Sequence, residues 1–507
     1  MNPAARRVRR SSVGVDVGSA LSLVGTLLKW LSLSALLPIG FALGYSEPVW
    51  PFLVAGAAAA AGGWALERAG DRSRAGLREG FLVVALVWLL AVGYGATPYL
   101  IAGEGTLAHP MNAFFESMSG FTTTGSTVVT DTGELSRSVL MWRQFTQWLG
   151  GIGIIVLFLA ILPRLRVGGR QIFEHELAGP EVEPLANTIR SSSQRFVVLY
   201  VGLCGLQMVV LSLFGWLGLD ERMSPYEAVA HGFTTVSTAG FSTQNDSIAS
   251  FAPATQWLLV VFMVLGGMNF ALLFLAIVRG RLRGLLRDDE VRLYVFVLVV
   301  GASILLMHLS SRGISGGETA VREAVFQAVS IATTTGYANA DYATWGALAL
   351  VTIVSLMFVG ASAGSTGGSV KLVRHVIIGR MLRRELEQTV HPELIAPIRL
   401  NGRVIDERTL RAVIVFVLLY VGVLALGTLG LVVDSARAGV TVEPFEAIAA
   451  AASTLGGVGP AVGFAGPLGS YEPFSDLSKG IMILLMWLGR LEIIPIAVLL
   501  TRSYWRA

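Results

Sequence analysis

Stretches of about 20 mostly apolar residues, the length a helix needs to cross a bilayer, recur from near the N-terminus of this 507-residue chain to its last few positions. They fall near residues 20–44, 49–66, 80–102, 138–162, 196–218, 254–279, 291–310, 344–374, 410–433 and 477–501, which predicts ten spans. No long polar block separates them, so one membrane domain is a better count than several soluble ones. Composition agrees: charged residues make up 14% and hydrophobic residues 53%, whereas a soluble domain carries about 25% charged residues on its surface and elsewhere.

The arginines lie in short segments between the apolar runs: Arg68 to Arg78, Arg164 to Arg170, Arg279 to Arg292, Lys371 to Arg384 and Arg502 to Arg506, with Arg6, Arg7, Arg9 and Arg10 at the start. Basic segments mark the cytoplasmic side, so both termini are expected to be cytoplasmic, in agreement with an even span count. The same distribution accounts for the net charge of +4 without nucleic acid. The N-terminal arginines precede an apolar run, Leu21 to Leu43, that is long enough to span and has no clear cleavage site, so it reads as a retained helix rather than a signal peptide. Cys204 is the only cysteine, which excludes a disulfide framework and a cysteine-based metal site.

Between the third and fourth, fifth and sixth, seventh and eighth, and ninth and tenth spans lies a moderately apolar segment too short to cross, on the side poor in basic residues. These four segments align on one glycine each: Thr122-Thr123-Thr124-Gly125, Ser237-Thr238-Ala239-Gly240, Thr333-Thr334-Thr335-Gly336 and Gly456-Gly457-Val458-Gly459. Further upstream, Asn112-Ala113, Glu227-Ala228, Glu323-Ala324 and Glu446-Ala447 fall into register, as do the hydroxyls Ser119, Thr234, Ser330 and Ser453. One such loop is an ordinary helix end. Four in register, each between two spans, predict a shared structure, because each polar loop can be buried only against its siblings. Such a ring suits a dehydrated cation: backbone carbonyls replace its water shell without fixed charge, glycine permits the backbone angles required, and the negative ends of the short helices point toward the path.

With the Trp142-Arg143-Gln144 to Trp148-Leu149-Gly150-Gly151-Ile152-Gly153 stretch and the Gly364-Ser365-Thr366-Gly367-Gly368 run, these loops resemble the membrane subunit of the Trk/Ktr/HKT potassium transporter superfamily; two extra helices before the first repeat make the chain most similar to its TrkH branch. The resemblance implies an all-α integral membrane protein with four pseudo-repeats of helix, pore loop and helix around one central pore. The divisions expected are 1–70 for the N-terminus and two extra helices, then 71–170, 171–285, 286–400 and 401–507 for the repeats. It assigns the sixteen loop residues to a selectivity filter that binds potassium. In the family a serine at the first glycine position is associated with sodium permeation, so Gly125, Gly240, Gly336 and Gly459 imply potassium preference; Gly457 stands where asparagine is expected. The resemblance also implies a homodimer in the inner membrane, surrounded by lipid. Its implied partner is a cytoplasmic TrkA-type ring, docked on the basic inner segments including Arg380 to Glu387, which alone would carry ATP/ADP or NAD(H). No cofactor is expected in this chain.

Two features lie within the spans themselves. The eighth is interrupted by Gly360-Ala361-Ser362-Ala363-Gly364-Ser365-Thr366-Gly367-Gly368, where each glycine costs a helix about 1 kcal/mol relative to alanine. Irregular backbone at that depth must be buried or line water. Close helix packing and, more remotely, a phosphate-binding loop are rival readings; by resemblance the run is an intramembrane gating loop. Arg490 sits midway along the tenth apolar run, where arginine costs some 2.5 kcal/mol or more. Glu492 is too close in sequence to pair with it on one helix, so it must reach carbonyls, water or another helix. The resemblance makes it the basic residue that impedes cation flow near the gate; the rival is a structural ion pair. Glu116, in the first short segment, poses the same choice more mildly, and His231 reads as a packed or hydrogen-bonded residue rather than a metal ligand.

Function follows as gated potassium uptake driven by the membrane potential, worth about 2.3 kcal/mol per charge per 100 mV. The alternative is a sodium- or proton-coupled symporter. A membrane enzyme is not expected, for want of a nucleophile with its base or an HExxH-type motif.

Overall fold

The computed structural model describes residues 15–71, 76–160, 185–280 and 282–506. The N-terminal arginines and the expected inner segment Arg164 to Arg170 lie outside these residues. The chain begins with α1 (Val17–Ser32), capped by the Asp16 carboxylate on the Ser19 amide at 3.0 Å, a 3-10 turn at Leu33–Ala35, α2 (Leu36–Tyr45) and α3 (Trp50–Glu67). α1 and α3 touch backbone to backbone, and a Cβ at Gly63 would stand 2.7 Å from the Gly25 carbonyl. The charged side chains on this pair are matched: Lys29 and Thr26 both meet Glu67.

Four hairpins follow, each a long helix, a short one, a loop and a second helix. The first comprises α4 (Leu77–Ala102), α5 (Pro110–Phe121) and α6 (Arg137–Ala160); the second, α7 (Leu185–Trp216), α8 (Pro225–Thr235), α9 (Pro253–Gly266) and α10 (Phe270–Arg279). After the short α11 (Leu282–Arg287), the third has α12 (Asp289–Ser311), α13 (Gly317–Ala332), α14 (Ala347–Val359) and α15 (Leu372–Val390). The fourth has α16 (Glu407–Ala438), α17 (Pro444–Gly456), α18 (Asp476–Arg490) and α19 (Ile494–Leu499), before α20 (Arg502–Trp505). Proline at the first turn fixes φ for helix entry at Pro110, Pro225 and Pro444, and the Ser224 hydroxyl caps α8 on the Glu227 amide. α5, α8, α13 and α17 have 12, 11, 16 and 13 residues. At about 1.5 Å per residue none can cross a core about 30 Å thick, so each dips in and returns.

The hairpins are stitched in sequence order. Tyr200 of α7 donates to the Trp148 carbonyl of α6, and Tyr294 of α12 to the Val264 carbonyl of α9, both at 3.1 Å. Trp148 also packs on Phe145 and on Phe233 of α8, with centroids 5.4 and 5.6 Å apart. Between α15 and α16, a two-stranded hairpin (Arg399–Leu400 with Arg403–Val404) turns at Asn401-Gly402, both with positive φ, as a two-residue turn between twisted strands requires. Asn401 exchanges two bonds with Asp289 at the start of α12, at 2.8 and 2.9 Å.

Among the described residues, three of the ten expected spans are interrupted. Residues 254–279 form α9 and α10, bent by 108° at Gly267, Met268 and Asn269, where Asn269 caps the new helix on the Ala271 amide. Residues 344–374 are irregular from Gly360 to Lys371, as the glycine run predicts. Residues 477–501 break after Arg490, with Glu492 and Ile493 at φ of 59° and 56°. Among the described residues, five helical segments are long and apolar enough to cross alone, and the bent α9–α10 pair makes a sixth. Hydropathy registers the apolar content of a stretch but not a break in its backbone hydrogen bonds.

Candidate functional site

The four aligned loops meet. In every one, the amide before the aligned glycine bonds back to the carbonyl of the aligned hydroxyl residue: Thr124 to Ser119, Ala239 to Thr234, Thr335 to Ser330 and Val458 to Ser453, at 2.8–3.0 Å. In every one, two residues take positive φ: Thr123, Thr238, Thr334 or Gly457 at 50–67°, then Gly125, Gly240, Gly336 or Gly459 at 78–110°. This explains Gly457. The position needs a left-handed backbone, which glycine and asparagine both tolerate and which the first three loops impose on threonine.

A Cβ at Gly125 would strike the Ala239 carbonyl, one at Gly240 the Thr335 carbonyl, one at Gly336 the Val458 carbonyl, and one at Gly459 would stand 2.9 Å from the Thr124 carbonyl. Each loop therefore backs onto the next and the fourth onto the first, which closes a ring that only glycine permits. The hydroxyls add a two-fold variation: Thr122 bonds Thr124 and Thr333 bonds Thr335, both at 2.8 Å, while the second and fourth loops lack that pair. Outside the ring is a cavity of about 290 Å³ bordered by all four glycines and by Thr127, Arg143, Asn245 and Tyr471. At its edge the exposed Asp131 carboxylate is held below the ordinary carboxylate range by bonds from the Asn245 side chain and the Gly133 amide.

Behind the ring stand residues whose roles the sequence did not disclose. Arg143 of α6 and Glu116 of α5 form a buried ion pair at 2.6 Å; Arg143 also donates to the Ser242 carbonyl just past the second loop, at 3.2 Å. Glu116 accepts the Val128 amide at 2.9 Å. Gln147 clamps the second loop, donating to the Ala239 carbonyl at 2.7 Å and accepting the Phe241 amide at 3.1 Å. For Glu116 the structural alternative holds. His231 is packed and hydrogen-bonded, to the Glu227 carbonyl and the Ser242 hydroxyl, and no group of ligating side chains that could hold a metal ion occurs among the described residues.

Below the ring the broken helices meet. The Ser362 amide donates to the Gly267 carbonyl at 3.0 Å, and the Phe270 amide to the Gly364 carbonyl at 3.1 Å, so two breaks satisfy each other's backbone. Gly360 and Gly364 take positive φ, Ser365 bonds the Ser362 carbonyl and the Gly367 amide, and the Gly368 amide donates to the Thr334 hydroxyl at 2.9 Å. Thr366 reaches the Val236 carbonyl at 2.9 Å and the Thr238 hydroxyl at 3.1 Å. The run thus lies directly against the second and third loops. Its amides from Ser362, Ala363, Thr366, Gly367 and Gly368 are taken by protein acceptors, which leaves no cradle for a phosphate.

Arg490 is the last residue of α18 rather than the middle of a helix, and it is buried. It donates to the Thr366 carbonyl of the interrupted run and to the Gly150 carbonyl of α6, both at 3.0 Å. Among the described residues no carboxylate pairs with it, so the ion-pair alternative is replaced by carbonyl contacts. Glu492, which lies off the helix, instead meets Lys371 at 3.0 Å and Arg374 at 2.6 Å. Those two bases, which open the basic inner segment Lys371 to Arg384, are buried. A second glycine register is present: Gly150, Gly266 and Gly489 each abut the carbonyl four residues before the ring glycine of their own hairpin, at Phe121, Val236 and Leu455.

Four hairpins, a closed ring of loops and interrupted helices beneath it define a membrane-embedded transport protein with one central path. The family model described as TrkH, cation transport protein, matches residues 51–506. The chain belongs to this family, one of membrane transport rather than catalysis. It is 34% identical over 505 residues to the Trk system potassium uptake protein TrkH of Halomonas elongata, covering 96% of this chain and 98% of that one. It is also 34% identical to the TrkH of Vibrio parahaemolyticus (85% of this chain, 86% of that one) and 30% identical to TrkG of Escherichia coli (95% and 97%). The crystal structure of the potassium transporter TrkH from Vibrio parahaemolyticus superimposes with a TM-score of 0.85 at 32% identity, over 97% of this chain and 100% of that one.

Proposed function

We propose that this protein takes up potassium across the bacterial inner membrane through a selective, gated pore whose filter is the ring of four loops. The closed ring itself carries the reading: the glycines at 125, 240, 336 and 459 let four backbones approach around one axis, and backbone oxygens suit a dehydrated cation. The names of its relatives supply the cation. The run from Gly360 to Gly368, with Arg490 bonded to it at Thr366, forms the gate and places a positive charge below the filter. Both termini lie in the cytoplasm, two copies assemble, and a TrkA-type ring carrying ATP/ADP or NAD(H) regulates the pore from the basic inner face; that its relatives are named as parts of a Trk system supports a multi-component assembly.

Gly336→Ser tests the filter. The new Cβ meets the Val458 carbonyl at a φ of 81°, a conformation that costs an L-residue about 1–2 kcal/mol. Discrimination of potassium from sodium should fall by about tenfold in competition assays of rubidium uptake, and unchanged discrimination would remove Gly336 from the filter. The broken helices α9–α10 and α18–α19 also suit an ion-coupled symporter; that reading requires uptake that stops without sodium or a proton gradient.

A further inference from the structure

The four ring glycines share a register and a cavity, yet their carbonyls differ. The Gly459 oxygen accepts two hydrogen bonds, from the Ser126 hydroxyl at 2.7 Å and the Tyr471 hydroxyl at 2.8 Å. A carbonyl oxygen has two lone pairs, so both are engaged. Among the described residues, no protein donor reaches the carbonyl of Gly125, Gly240 or Gly336. Exposure follows the same division: those three glycines are partly open to the outer cavity, and Gly459 is buried.

The two donors are fixed. The Tyr471 amide bonds the Thr127 carbonyl at 2.8 Å, and its ring packs against Phe115 and Phe474 at 5.6 and 5.9 Å. Ser126 follows Gly125 directly. The corresponding residues in the other loops are Phe241, Tyr337 and Pro460; of these only Tyr337 has a hydroxyl, and it is bonded to Thr234.

We infer that Ser126 and Tyr471 are positioning residues that make the outermost cation site three-sided. The carbonyls of Gly125, Gly240 and Gly336 receive the ion, and on the fourth side it keeps a water that Gly459 cannot replace. The inference rests on the pore reading. Its consequence is weak outer capture, which favours onward movement over retention, since conduction needs sites that release as well as bind.

Removing both hydroxyls (Ser126→Ala with Tyr471→Phe) frees the Gly459 oxygen. In liposomes holding the full chain, the external rubidium concentration giving half-maximal uptake should fall about fivefold, the size of one net hydrogen bond, without a rise in maximal rate. Tyr471→Phe alone keeps the ring packing, frees one lone pair and should shift the same quantity part of the way, which carries the test if the double variant fails to fold. Tyr342→Phe, whose hydroxyl serves the Ala461 carbonyl at 3.0 Å outside the ring, should leave it unchanged. A lower maximal rate with unchanged half-saturation would make the two hydroxyls merely structural and overturn the inference. Loss of potassium-selective uptake in the unaltered protein would instead overturn the pore reading and the inference with it.

Discussion

Arg143 and Glu116 show what a charge does when it is buried behind a ring of carbonyls. Their side chains are 2% and 0% exposed, a depth at which removing one partner costs about 3–5 kcal/mol because the other is left charged and unpaired. Arg143→Met should therefore lower the thermal unfolding midpoint sharply in detergent, followed by fluorescence-detected size exclusion. Glu116→Gln combined with Arg143→Met should recover most of the loss, because the stranded carboxylate is gone; no recovery would show that the bond from Arg143 to the Ser242 carbonyl dominates. The glycine register was legible in the sequence because the ring demands glycine at the same place four times. Arg143 and Gln147 were not, because each reaches the second hairpin and nothing in its own segment marks the contact; nor was Tyr471, which bonds the Gly459 carbonyl from twelve positions further along an irregular loop.

Among the elements, the second helices of the hairpins differ most from a hydropathy reading. The break at Gly360 to Lys371 was visible because small residues accumulate there. The bend after Gly266-Gly267 and the turn at Glu492-Ile493 were not, since two or three left-handed or capping residues hardly change the apolar content. The partners of Arg490 were equally hidden, the Thr366 carbonyl being 124 positions away in sequence. On the proposed gating, the element that moves is the irregular run held by Arg490 on one side and by Glu290 on the other, whose carboxylate accepts the Ala363 and Val373 amides at 2.6 and 3.2 Å. Arg490→Ala removes both a positive charge and the two carbonyl bonds. Basal cation flux should rise by about tenfold, the effect of some 1.4 kcal/mol of barrier, with the protein still folded; misfolded protein and no increase in flux would mark Arg490 as structural alone.

For the whole molecule, pseudo-fourfold symmetry explains why the polar loops can exist in a membrane at all. Each hairpin leaves backbone groups unsatisfied at its loop, and only the other three hairpins can cover them. The symmetry is approximate where it matters: hydroxyl pairs in the first and third loops only, and the engaged Gly459 carbonyl in the fourth. Whether this ring passes potassium is decided by uptake of labelled rubidium into liposomes that contain this protein alone, loaded with potassium and diluted into medium without it. A selective pore requires uptake that external potassium blocks and sodium barely affects. Equal competition by sodium, or uptake indistinguishable from empty liposomes, would contradict it.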